Sequence, residues 1–155
     1  MKPLPVTLLA VAAALVAHGA EPTPLNDKTL VVWVSPANLT QRGGSALTIE
    51  DGHSHFDGIV FAELAQRKWM PGSDGHARSW KEQGNWPEET ADAKTFVQIA
   101  IVYQGREVTM YRNGQKYAGY TMPNPPRQFG PQAVVLFGRR HLDAGGPDHS
   151  FAGRI

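Results

Sequence analysis

This sequence predicts an all-β fold, an antiparallel β-sandwich, and three observations carry that prediction. Runs rich in β-branched and aromatic residues recur along the chain, at 29–34 (TLVVWV), 96–103 (FVQIAIVY) and 133–137 (AVVLF). No stretch carries the apolar period of a long amphipathic helix. Turn formers are dense, with 16 Gly and 12 Pro in 155 residues. Asn113-Gly114 then marks a hairpin, because a type I′ turn needs positive φ at both central residues. A meander over 96–120 cannot stand alone in water, so a second sheet must cover it.

The chain begins with a leader rather than with structure. Lys2 is followed by an apolar run over 4–17, too short to span a bilayer comfortably, and by small residues at Ala17 and Gly19. Residues 1–19 read as a signal peptide cleaved after Gly19, which predicts a secreted or periplasmic protein with no membrane attachment after cleavage. Residues 20–28, with Pro22 and Pro24, read as a linker, and 29–155 as one domain.

Residues 29–34 form a strand covered on both faces, with Trp33 in the core, and Pro36 ends it. A polar loop over 37–44 leads to a second strand at 45–50. Asp51-Gly52 opens a turn through His53 and His55. The third strand, 56–64, contains Gly58 at a bulge or where another backbone comes close. Trp69-Met70 makes a brief fourth. Residues 71–94 are polar and without period, yet hold Trp80 and Trp86; loops of that length are functional or disordered. The strand at 96–103 is followed by a strand ending at Arg112, the Asn113-Gly114 turn and a return strand over 115–120. Residues 122–126 cross between sheets, 133–137 form a buried strand, 138–150 a polar loop, and 151–155 start a last strand.

Composition excludes several classes. There is no Cys, hence no disulfide, thiol chemistry or Cys-ligated zinc. The formal charge is +1, and losing Lys2 with the leader leaves 14 basic against 14 acidic residues. Without a basic face, nucleic acid and anionic membranes are poor partners.

Five pieces in order resemble the concanavalin A-like, laminin-G-like jelly-roll domains of bacterial secreted proteins: KTLVVWVSPANLTQRGG, FDGIVFAE, WMPGSD, FVQIAIVYQGREVTMYRNGQKY and VVLFGRRH with FAGRI. Together they span nearly all of 28–155. Versions with RGG, FDGIVF and WM-GSD look like modules of large planctomycete-type secreted proteins. The resemblance implies a secreted binding module for a glycan or protein partner, of a kind that often binds calcium at one rim. It also implies a further acidic strand after 151–155, so the domain is expected to be truncated, and the alternative role is a structural or interaction fragment of a larger multidomain secreted protein, with no ligand of its own and completed by another chain.

Glycosidases of related folds need two carboxylates on one strand face, and no such spacing occurs; a glycoside hydrolase is disfavoured. No nucleophile elbow is present either. In an extended backbone His53, His55 and Asp57 would share one face and could ligate a transition metal, or form only a polar turn. For calcium, Asp143 and Asp148 of the Gly-rich loop are the candidates, with Asp57 a further metal candidate. Trp80, Trp86 and Trp69 are candidate sugar platforms, since sugar C–H faces stack on aromatic rings; the alternative is that they staple the long loop, and Trp69 beside a strand suits the core. Arg139 and His141 could hold an acidic sugar or sulfate, or lie in solvent.

Overall fold

The computed structural model describes residues 24–53, 55–143 and 149–155. The leader expected at 1–19, residues 20–23 of the linker, and Asp148 lie outside these. Among the described residues nine strands form two antiparallel sheets. They are β1 (Lys28–Pro36), β2 (Gly44–Glu50), β3 (Phe56–Phe61), β4 (Trp69–Ser73), β5 (Val97–Gln104), β6 (Glu107–Arg112), β7 (Gln115–Thr121), β8 (Val134–Phe137) and β9 (Gly153–Arg154). One sheet has the order β7-β6-β5-β1-β9 and the other β4-β3-β2-β8. The predicted antiparallel sandwich is therefore the fold. The one helical element described is a 3-10 turn, Asp74–His76.

Alternation builds the core. Leu30, Val32 and Val34 of β1 and Val97, Ile99 and Ile101 of β5 point inward, against Leu47 and Ile49 of β2 and Ile59 and Phe61 of β3. The outward residues of β1 are Thr29, Val31 and Trp33, and Trp33 is 56% exposed. This corrects the expectation that the strand is covered on both faces with Trp33 in the core. The run is apolar at both parities, but among the described residues no layer covers its outer side.

The turn chemistry is as the residues dictate. Asn113 and Gly114 both have positive φ, at 49° and 77°, and the Asn113 side chain accepts from the Gln98 amide at 2.7 Å. Gly58 marks a close approach: a Cβ there would lie 2.8 Å from the Leu47 carbonyl oxygen. The ladder between β2 and β3 shifts register across Ser45 and Leu47 beside it.

Candidate functional site

The long polar segment after β4 is ordered by buried hydrogen bonds to the sandwich. Glu89 is its main anchor. It is fully buried, accepts from Trp69 Nε1 at 2.7 Å, from Arg112 Nε at 3.0 Å and Nη2 at 2.7 Å, and from the Thr90 and Ala91 amides. Burial works against its charge, but Arg112, the Ala91 amide and Trp69 outweigh it and hold the carboxyl below its ordinary value. Lys68 Nζ donates to the Gln83 and Gly84 carbonyls. Tyr117 and Tyr120 of β7 donate to the Pro87 and Arg78 carbonyls at 2.6 and 2.9 Å. Burial pushes both phenols well up, so they stay neutral donors.

This scaffold shapes a groove of about 450 Å³, lined by the turn at Gly75 and His76, by Ser79, Trp80, Lys81 and Glu82, and by Pro123 and Asn124 from the crossing after β7. Trp80 is 39% exposed. Behind it Tyr120 lies 6.0 Å away, centroid to centroid. Trp86 stacks on the same Tyr120 at 6.2 Å and meets Tyr117 edge-on. Asn124 Nδ2 donates to the Ala77 carbonyl at 2.6 Å, pinning the two walls together. The groove thus offers one braced aromatic face with donors and acceptors around it, the pattern of a small-ligand site.

The structure separates the three tryptophans. Trp80 faces the groove. Trp86 is half-buried against both apolar clusters and braces the groove from behind. Trp69 is fully buried between Phe61 and Phe151, so its ring has no face to offer a ligand, and its place among the platform candidates is corrected.

The metal candidates among the described residues do not gather. Asp57 points into the sandwich, where Lys28 Nζ meets one carboxylate oxygen at 2.8 Å and Arg78 Nε the other at 2.9 Å. Two cations occupy the charge a metal would need, which corrects its assignment as a ligand. His55 instead turns to Asp51, at 3.2 Å, and Arg127 binds the same carboxylate. The Asp51 carboxyl is pulled down to about 2: slight burial opposes its charge, but the His53 amide and Arg127 outweigh it. His53, His55 and Asp57 therefore share no face, because a turn, not a strand, holds the two histidines. Asp143 is exposed. Among the described residues no group of three or more His, Cys, Asp or Glu is arranged to hold a metal ion.

Arg139 and His141 lie after β8 and do not line the groove. His141 Nδ1 is 3.5 Å from Glu50 Oε2 and its ring meets Phe56 edge-on. Arg139 is exposed and its backbone bridges to Ser150. The lining residues His76, Lys81, Pro123 and Asn124 carried no signal in the sequence, since 123–124 meet the long loop only through the fold.

The family described as Concanavalin A-like lectin/glucanases superfamily matches residues 12–155. Among solved structures, the chain is similar to domain 4 of AbnA, a GH43 extracellular arabinanase from Geobacillus stearothermophilus, in complex with arabinotriose. The identity is 16% and the TM-score 0.55, over 84% of this chain and 57% of that one, so the likeness is one of fold. The comparison with curated proteins finds no match.

Proposed function

The chain belongs to the concanavalin A-like lectin/glucanases superfamily, and from that premise we propose that it is a non-catalytic binding module whose Trp80 groove takes a carbohydrate. The exposed, braced ring of Trp80 carries this reading. Sugar C–H faces suit an aromatic face, and His76, Lys81, Glu82 and Asn124 supply hydrogen bonds for hydroxyls. Glycosidic cleavage needs two carboxylates flanking the bond, and the groove lining has one, Glu82. The similar arabinanase domain was solved with arabinotriose, which puts pentose oligosaccharides among the first probes. The leader reading places the module outside the cytoplasm. Among the described residues no helix is long and apolar enough to cross a membrane.

A glycan array followed by calorimetry tests the proposal. Trp80→Ala should fold normally, because the ring is partly exposed. It should weaken the best ligand by about 2 kcal/mol, roughly thirtyfold in Kd. A blank array, or a W80A protein that binds like the parent, sinks the carbohydrate reading.

A further inference from the structure

The turn that lines the groove puts a large side chain where the backbone favours glycine. Asp74-Gly75-His76-Ala77 closes with the Ala77 amide donating to the Asp74 carbonyl at 3.0 Å. Both central residues are left-handed, Gly75 at φ 55° and His76 at φ 58°. Glycine takes that backbone freely, whereas an L side chain at the second position is strained. Strained positions cluster where a site uses them, which draws attention to the His76 side chain.

His76 is tied from behind. Its Nε2 lies 3.7 Å from Glu63 Oε2, in ion-pair range, with the imidazole 30% and the carboxylate 23% exposed. The other carboxylate oxygen, Oε1, accepts from Arg140 Nη1 at 2.7 Å. Arg140 is itself buried, and its Nη2 donates to the Gly43 carbonyl. Arg42 donates to the Ala62 and Glu63 carbonyls and fixes the turn that carries Glu63. Ala62 in that turn is also left-handed, at φ 56°, and fully buried. A carboxylate only accepts, so the imidazole turns an N–H toward it, and in the uncharged ring that leaves Nδ1 as an acceptor. Among the described residues Nδ1 has no hydrogen-bond partner, and His76 lines the groove. The lining holds one further charge of each sign, Lys81 and Glu82, and Glu63 offsets any charge on His76.

We infer that the groove selects an uncharged oligosaccharide through one free hydroxyl, which donates to Nδ1 of His76, and that Glu63, held by Arg140, is the positioning residue that keeps this nitrogen an acceptor. The inference rests on the carbohydrate reading of the groove. The strained turn is kept because it holds the ring between Glu63 and the ligand. A site built to bond a hydroxyl rejects the sugar that lacks it, because the acceptor then loses its partner.

The probe is the oligosaccharide that binds best on the glycan array, together with its singly deoxygenated derivatives, measured by calorimetry. In the parent protein one deoxy position should stand out, weakening binding about tenfold. That selective loss should vanish in His76→Gly, as it does when two partners of one contact are removed together. H76G should bind the intact sugar about tenfold more weakly, while its urea midpoint stays at or above the parent's, since glycine relieves the turn. H76N should stay within about threefold of the parent, because asparagine tolerates this backbone and its carbonyl oxygen replaces Nδ1 as acceptor. E63Q still accepts from Arg140 through its carbonyl oxygen, so its amide hydrogens face Nε2. Nitrogen NMR of His76 should then show the ring hydrogen moved to Nδ1, with binding weakened as in H76G. H76G or E63Q binding like the parent, a deoxy loss that persists in H76G, or an unchanged tautomer in E63Q overturns the inference. So does an array led by uronic or sulfated sugars, or an H76G protein that loses stability with its binding and that H76N does not rescue. Binding that W80A weakens but H76G and E63Q leave intact removes this inference alone; a blank array removes it together with the carbohydrate reading.

Discussion

Replacing Asp57 by Ala is expected to destabilise the protein by about 3–5 kcal/mol, the range for breaking a buried ion pair from one side. Asp57 is 1% exposed and lies between Lys28 and Arg78, at 8% and 6%. Its removal leaves Arg78 with Asp74 at 2.6 Å. Lys28 keeps only a long bond to the Asn26 carbonyl and the faces of Tyr103 and Phe129. Arg78 cannot shed its charge: burial opposes the cation, but Asp57 and Asp74 hold it above its ordinary value. Lys28 is then the costly survivor, so K28M together with D57A should recover part of the loss, as replacement of a buried charge by an apolar side chain of similar length does. Urea denaturation measures all three proteins. A D57A protein within about 1 kcal/mol of the parent would show that the cluster is well solvated.

Glu89→Ala should cost about 3 kcal/mol, because it strands the Trp69 indole N–H in the core and leaves Arg112 unpaired. The second consequence is functional. Glu89 ties the segment carrying Trp80 to β4 and β6, so the variant should also bind the glycan more weakly, although Glu89 does not line the groove. E89Q keeps the shape without the charge and should fall between. The pH dependence has a definite sign. The Glu89 carboxyl is depressed in the fold below its ordinary 4.5. Its stabilisation is therefore complete above about 4.5, where the unfolded carboxyl is ionised, and is lost as pH falls through the lower folded value. The difference in stability between parent and E89Q should shrink over that acid range. A difference that stays constant from neutral pH to below 4 would contradict this linkage.

Much of the strand plan was legible in the residues. The runs at 29–34, 45–50, 96–103 and 133–137 became strands within a residue or two at each end, the Asn113-Gly114 turn took the backbone its two residues favour, and Gly58 sat where a side chain would strike the next strand. These are local matters of propensity, steric freedom and alternation. The long segment after β4 was visible as a functional candidate because it is polar and holds two tryptophans. Its groove was not visible, because one wall, Pro123 and Asn124, comes from residues beyond 120 that only the fold brings there.

By itself the sequence determined that this chain makes a sandwich of short antiparallel strands, and where along the chain most of them fall. Only the tertiary structure decided which faces are covered. Period two says which residues share a side, but in TLVVWV both sides are apolar, and only the absence of an outer layer leaves Trp33 in solvent while Trp69 is sealed. The same holds for charge. Asp57 could have been a ligand or a loop carboxylate until the fold brought Lys28 and Arg78 to its two oxygens. In a low-dielectric interior those distant partners, rather than neighbours in the chain, set what a carboxylate can do.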